Sequence, residues 1–226
     1  MTRIFIASYP DNGFTEKIQA IQANNSHLSE LWGRQCVFSK LEKLHLTYLF
    51  MGNVDKANLT KIKPTLLALI DKSQEEFIKG KALLKLDFDR LEFWPSASNP
   101  KTMVLRSFKT NETISALQSK IKLALFPFIE PKVRDQALQD FKPHITLARF
   151  YDEGKLGNVS VNKDSRQLPK TNPKSVLKPN ANDIRLLRNT IPLELKLSHL
   201  SIVESDLKTK NYNELEKLPL ITLSLA

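Results

Sequence analysis

Residues 3–8 place apolar Ile4, Phe5, Ile6 and Ala7 between polar ends and run into Pro10, Asp11 and Gly13, the pattern of a buried strand closed by a turn. Phe14, Ile18 and Ile21 follow at helical spacing, with Leu28 and Leu31 less regular, and Gly33 supplies a stop. Residues 44–50 read as a second strand. Leu59, Ile62, Leu66 and Ile70 then share one helical face; Pro64 lies among them, so this helix must start late or kink. Residues 84–93 alternate as a strand with Leu84, Leu86 and Phe88 on one side, and Trp94-Pro95 ends it.

The second half repeats this order. Residues 102–108 read as a strand, Asn111 caps a helix carrying Ile114, Leu117, Ile121 and Leu125, and residues 143–150 read as another strand. His45 lies 40 residues after Phe5, and His144 lies 40 residues after Val104. The pattern predicts an internal duplication. Residues 152–183 break it with Asn, Ser, Pro and Lys, and form a basic insertion that is either a solvated excursion or a loop against an RNA backbone. Residues 193–202 and 218–225 close the chain as strands. The predicted fold is α+β: one bilobal, pseudo-twofold domain over residues 1–226, with mostly antiparallel sheets lining a central cleft and helices outside.

A chain of 226 residues, 41% hydrophobic and 26% charged, suits a globular protein with a sizeable core. No run reaches the roughly eighteen apolar residues of a membrane span, and residues 1–13 lack the apolar core and cleavage site of a signal peptide. A cytoplasmic monomer is therefore expected, and the single cysteine, Cys36, permits no internal disulfide. With 6 glycines and neither G-x-G-x-x-G nor G-x-x-x-x-G-K-[ST], Rossmann and P-loop nucleotide sites are disfavoured. The formal charge of +10 favours phosphate-rich partners, RNA or DNA first among them.

Two of the 4 histidines stand in one local phrase. Lys43-Leu44-His45-Leu46-Thr47 is matched by Lys142-Pro143-His144-Ile145-Thr146. With only 13 threonines in the chain, a shared lysine and equivalent places in the two halves, chance is a poor account. Side chains two apart on a strand share a face, so each His projects with its Thr while Leu46, Ile145 and Leu147 point into the core. A pseudo-twofold axis brings two His and two Thr across one cleft. One imidazole can then activate a nucleophile and the other protonate a leaving oxygen. The threonine hydroxyls can hold the non-bridging oxygens of a phosphate. Such a site needs neither metal nor cofactor. A metal site is disfavoured by the lack of H-x-x-x-H, a Cys cluster or a matching carboxylate, and a serine hydrolase by the lack of G-x-S-x-G.

Paired H-[apolar]-T-[apolar] motifs in equivalent strands resemble those of the 2H phosphoesterase superfamily. Within it the chain is similar to the LigT-type RNA 2',3'-cyclic phosphodiesterases, or 2'-5' RNA ligases. The resemblance extends to residues 3–7, 44–52, 143–149 and the ending at 200–220, with Ser205, Tyr212 and Leu218-Pro219-Leu220. It implies hydrolysis of RNA 2',3'-cyclic phosphate ends to a 2'-phosphate; the basic surface allows tRNA fragments as the RNA without selecting them. By the same resemblance His45 is the general acid for the departing 3' oxygen and His144 the base that activates water. Thr47 and Thr146 hold the phosphate, and the roles exchange in 2'-5' ligation. Arg149 matches the arginine after the second family motif and contacts the nucleotide, although strict alternation puts it on the core face unless the strand ends or bulges first. Tyr48 and Met51 stand where the family more often has aliphatic residues.

The alternatives are a non-catalytic RNA or nucleotide-binding module, and a 2H phosphoesterase acting on another cyclic phosphate or a 2'-5' linkage. His27 and His199 lack the threonine and read as packed or surface residues. Lys43 and Lys142 share the histidines' parity and read as solvated side chains before phosphate contacts. Phe93, Trp94 and Phe126-Pro127-Phe128 read as core aromatics at element ends before base-stacking groups.

Overall fold

The structure, a computed structural model, describes residues 1–24, 29, 34–79, 84–108, 112–152, 192–209 and 211–220. Its elements run β1 (Thr2–Ser8), α1 (Asn12–Asn24), β2 (Gln35–Phe38), β3 (Leu46–Val54), α2 (Lys56–Lys79), β4 (Lys85–Phe88), β5 (Arg90–Trp94), β6 (Thr102–Arg106), α3 (Glu112–Leu125), α4 (Arg134–Leu138), β7 (His144–Tyr151), β8 (Leu193–Lys196), β9 (His199–Asp206) and β10 (Asn211–Pro219). The class is α+β. Sheets of order β10-β9-β1-β3 and β2-β7-β6-β5, with the two-stranded β4-β8, are antiparallel throughout. The basic insertion at 152–183 lies outside the described residues beyond Asp152, as do His27, Leu28, Leu31, Gly33 and Asn111. Among the described residues no helix is long and apolar enough to cross a membrane.

The duplication is visible in the topology. β1, α1 and β3 correspond to β6, α3 and β7, and each half continues with two consecutive strands, β4–β5 and β8–β9, leaving β2 and β10 as the unmatched edge strands. β4 and β8 pair with each other between the halves, Leu86 opposite Leu195. β5 of the first half completes the sheet of β6, and β9 of the second completes the sheet of β1. The halves are therefore interlocked.

Each sheet turns one face to the helices and shares a single core. Phe14, Ile18 and Ile21 of α1 are buried, and Phe14 meets Phe88 edge-on at 5.8 Å. Ile114, Leu117, Ile121 and Leu125 form the buried stripe of α3, where the Gln118 amide donates to the Tyr48 carbonyl at 3.2 Å. In α2 the buried row Ile62, Leu66 and Ile70 is the expected one. The helix does not start late. It runs through Pro64, whose exposed position leaves the freed carbonyl to water.

Two predicted strands are corrected. Residues 84–93 form two strands in different sheets, because the buried parity changes from Leu84, Leu86 and Phe88 to Leu91 and Phe93. The chain turns at Asp89, whose amide reaches the Arg106 carbonyl and whose carboxylate takes the Phe108 amide. Residues 193–202 divide likewise into β8 and β9, with Leu197 N on Leu84 O at 2.7 Å between them. Of the strand expected at 218–225, Leu218 and Pro219 end β10, an edge strand rich in Asn and Glu, as an unpaired edge favours, and residues 221–225 lie outside the described residues. The short β2 had no readable periodicity; it is held by its ladder to β7 and by the Arg34–Asp152 ion pair at 2.6 Å.

Gly52, in β3, has φ +74°, and a Cβ there meets Glu130 Cβ at 2.8 Å and its carboxylate closer still. Glu130 cannot easily yield, since it accepts from Asn53 N at 2.7 Å and Asn53 Nδ2 at 3.0 Å. Gly52→Ala is expected to cost at least the roughly 1–2 kcal/mol of left-handed backbone in an L residue. Urea unfolding checks this, and a midpoint equal to the parent's at unchanged slope refutes it.

Candidate active site

β3 and β7 carry the two motifs in the same way. His45 directly precedes β3 and His144 is the first residue of β7. Leu44, Leu46, Ile145 and Leu147 are buried at 1% exposure or less, while His45, Thr47, His144 and Thr146 are half-buried on the opposite face.

Both imidazoles are held by one device. His45 Nδ1 lies 2.7 Å from Lys43 O, and His144 Nδ1 lies 2.8 Å from Lys142 O. A carbonyl can only accept, so each Nδ1 carries hydrogen and each Nε2 is the free acid or base position. The lysine shared by the motifs thus contributes its backbone carbonyl. The Lys43 side chain is engaged elsewhere, its Nζ donating to Asn211 Oδ1 at 3.1 Å.

Arg149 reaches the cleft face because β7 holds an extra residue. Ala148 pairs with Met103 but Thr146 with Val104, so Leu147 is bulged, and both Leu147 and Ala148 turn inward. Arg149 is then exposed beside Thr102. The same irregularity occurs at Tyr48 of β3 between Thr47 and Leu49. Tyr48 and Met51 are buried; the Tyr48 hydroxyl is satisfied 3.2 Å from Ser8 Oγ.

The two motifs act on each other, since His144 and Arg149 of β7 both lower the pKa of His45 by their charge. Burial is the larger cause of that lowering, and the Lys43 carbonyl opposes it. His144 is lowered by burial first and further by the cation of Arg106, against the Lys142 carbonyl.

Their surroundings differ. Phe5, Tyr212 and Tyr9 stand 4.9, 5.2 and 6.0 Å from the His45 ring. The Tyr9 pKa is pushed up to about 12 by burial and then by Glu214 and Tyr212, so its hydroxyl stays neutral. Against His144 lies Trp94, at 4.7 Å. Its indole Nε1 donates to Glu92 Oε2 at 2.9 Å, and Glu92 also accepts from Arg106 Nη1 at 3.0 Å. Arg106 is the cross-strand partner of His144.

Trp94 therefore lies at the site and not in the core, whereas Phe93 is buried and Phe126 and Phe128 pack against the core. Arg106, Glu92, Phe5 and Tyr9 had no motif to mark them. Only the end of the alternating run pointed to Trp94. His199 opens β9 and contacts Ser198 Oγ at 2.9 Å.

No family model matches the chain, and no curated protein matches it. Solved structures do. TT0787 of Thermus thermophilus is 21% identical with TM-score 0.58, over 96% of this chain and 97% of that one. E. coli LigT complexed with 3'-AMP is 16% identical with TM-score 0.59, over 98% and 99%. A structure described as a phosphoesterase is 18% identical with TM-score 0.55, over 98% and 100%. The chain has the LigT-type fold, as the two motifs led one to expect.

Proposed function

We propose that the chain is a 2H phosphoesterase that hydrolyses RNA 2',3'-cyclic phosphate ends to 2'-phosphates, with His45 and His144 as its catalytic residues. The observation that carries this reading is the pair of Nδ1–carbonyl hydrogen bonds, which leave two equivalent Nε2 positions on one cleft. His144 Nε2 takes a proton from water as the water oxygen attacks phosphorus. The bond to the 3' oxygen breaks in line, and His45 Nε2–H protonates that oxygen. Water thus ends as a phosphate hydroxyl and a 3'-OH. Thr47, Thr146 and Arg149 hold the non-bridging oxygens.

The surroundings support this division of roles. Arg106 beside His144 disfavours a second cation and keeps that ring ready to accept a proton. Burial, with the charges of His144 and Arg149, lowers the His45 pKa in the free protein; the π faces of Phe5 and Tyr212 tolerate an imidazolium there, and a bound phosphate brings the pKa back up. The reverse direction is 2'-5' ligation with the roles exchanged. RNA with cyclic phosphate ends, tRNA fragments included, is the substrate, and the protein acts in the cytoplasm as a monomer. The described residues hold no group of three His, Cys, Asp or Glu placed around one point, and the mechanism has no step for a metal or cofactor.

The deciding experiment incubates a short RNA ending in 2',3'-cyclic phosphate with the protein in excess EDTA and resolves the product. Formation of the 2'-phosphate is expected. A 3'-phosphate, or binding without turnover, refutes the proposal. The two lowered imidazoles also predict a bell-shaped kcat/KM profile centred below the ordinary imidazole pKa of 6.5. In kcat the alkaline limb moves upward, because bound phosphate favours charged His45. A rate that only rises with pH counts against paired acid and base roles.

A further inference from the structure

Beyond His144, on the same face of its sheet, lies an aromatic platform that the catalytic steps leave unused. Arg106 pairs with His144 across β7, and Arg90 pairs with Arg106 across β5, so the three stand in a row. The ladder continues as Ser107 N donates to Pro143 O at 3.2 Å. Phe108, two residues past Arg106, therefore returns to the cleft side. It is 56% exposed, although Leu105 and Ser107 beside it are buried.

A single exposed phenylalanine is ordinary, but this one is held in place. Its amide donates to Asp89 Oδ1 at 2.9 Å, at the turn that splits β4 from β5. The Arg90 guanidinium covers one face of the ring, 3.9 Å from its centroid. Among the described residues no other aromatic ring packs against Phe108. A ring anchored through its backbone amide, covered by a cation on one face and more than half exposed, is an arrangement on which a nucleobase can stack, and the guanidinium also offers charge to the adjoining phosphate.

We infer that Phe108 and Arg90 form a stacking subsite for the nucleotide on the 5' side of the one that carries the cyclic phosphate. The inference rests on the proposed reaction. A substrate whose 3' end is the reacting group can extend only in the 5' direction, and Phe108 lies one strand repeat beyond the partner of His144. The protein then discriminates an RNA end from a free mononucleotide, whichever bases it carries, because every base has a face to stack.

The test compares a nucleoside 2',3'-cyclic phosphate with a dinucleotide bearing the same group at its 3' end. The parent is expected to favour the dinucleotide roughly tenfold in kcat/KM, expressed in KM. Phe108→Ala brings the ratio of the two substrates close to one, Phe108→Tyr restores it, and Arg90→Ala lowers it in part. A parent ratio near one, or an unchanged ratio in Phe108→Ala, overturns the subsite. The mononucleotide is the internal reference, so a folding defect that slows both substrates leaves the ratio intact and cannot imitate the result. If neither compound is turned over, the proposed reaction is what fails. Equilibrium binding of the dinucleotide to parent and Phe108→Ala then decides the subsite by itself, and equal affinity overturns it.

Discussion

Replacing either His45 or His144 by alanine is expected to lower kcat about 10²–10⁴-fold with little change in stability. Both rings are half-buried on the cleft face. The core contacts on either side come from Leu44, Leu46, Ile145 and Leu147, which the substitutions do not touch. Thermal unfolding superimposable on the parent's, with activity lost, is the expected pair of results. The roles separate with a phosphodiester whose leaving group is a nitrophenol. Such a leaving group departs without a proton, so it rescues His45→Ala in large part and His144→Ala hardly at all. Rescue of His144→Ala instead exchanges the acid and base assignments. Near-parental rates in either alanine variant dismiss the two-histidine mechanism.

Thr47→Val and Thr146→Val are each expected to cost about 10²–10³-fold in kcat/KM. Valine keeps the branched shape that suits a strand and removes only the hydroxyl, so the loss reports the hydrogen bond to the phosphate. Because both hydroxyls serve one phosphoryl group, the double variant falls short of the product of the two losses. The pH profile keeps its shape, unlike that of a histidine variant. A loss below about threefold in either variant removes that threonine from the phosphate site.

Local pattern made much of this legible. The stripes Phe14-Ile18-Ile21 and Ile114-Leu117-Ile121-Leu125 are buried as their spacing indicates, because helical periodicity depends on near neighbours alone. The H-x-T phrases were legible for a similar reason, since alternation fixes which side chains leave the core. Arg149 marks the limit of that logic. Its parity is correct only after the extra residue at Leu147 is counted, and whether a strand bulges depends on how its partner pairs.

The sequence by itself determined the α+β class, the duplication and the four side chains of the two motifs. Tertiary structure alone decided that residues 84–93 and 193–202 each divide between two sheets, since β4 and β8 find each other only across the two halves of the chain. It also decided what surrounds each histidine. His45 takes its aromatic wall from positions 5, 9 and 212, and His144 takes Trp94, Glu92 and Arg106 from two neighbouring strands. The motifs themselves are alike. Their different electrostatic settings come from cross-strand register, which hydrophobic alternation along one strand cannot encode.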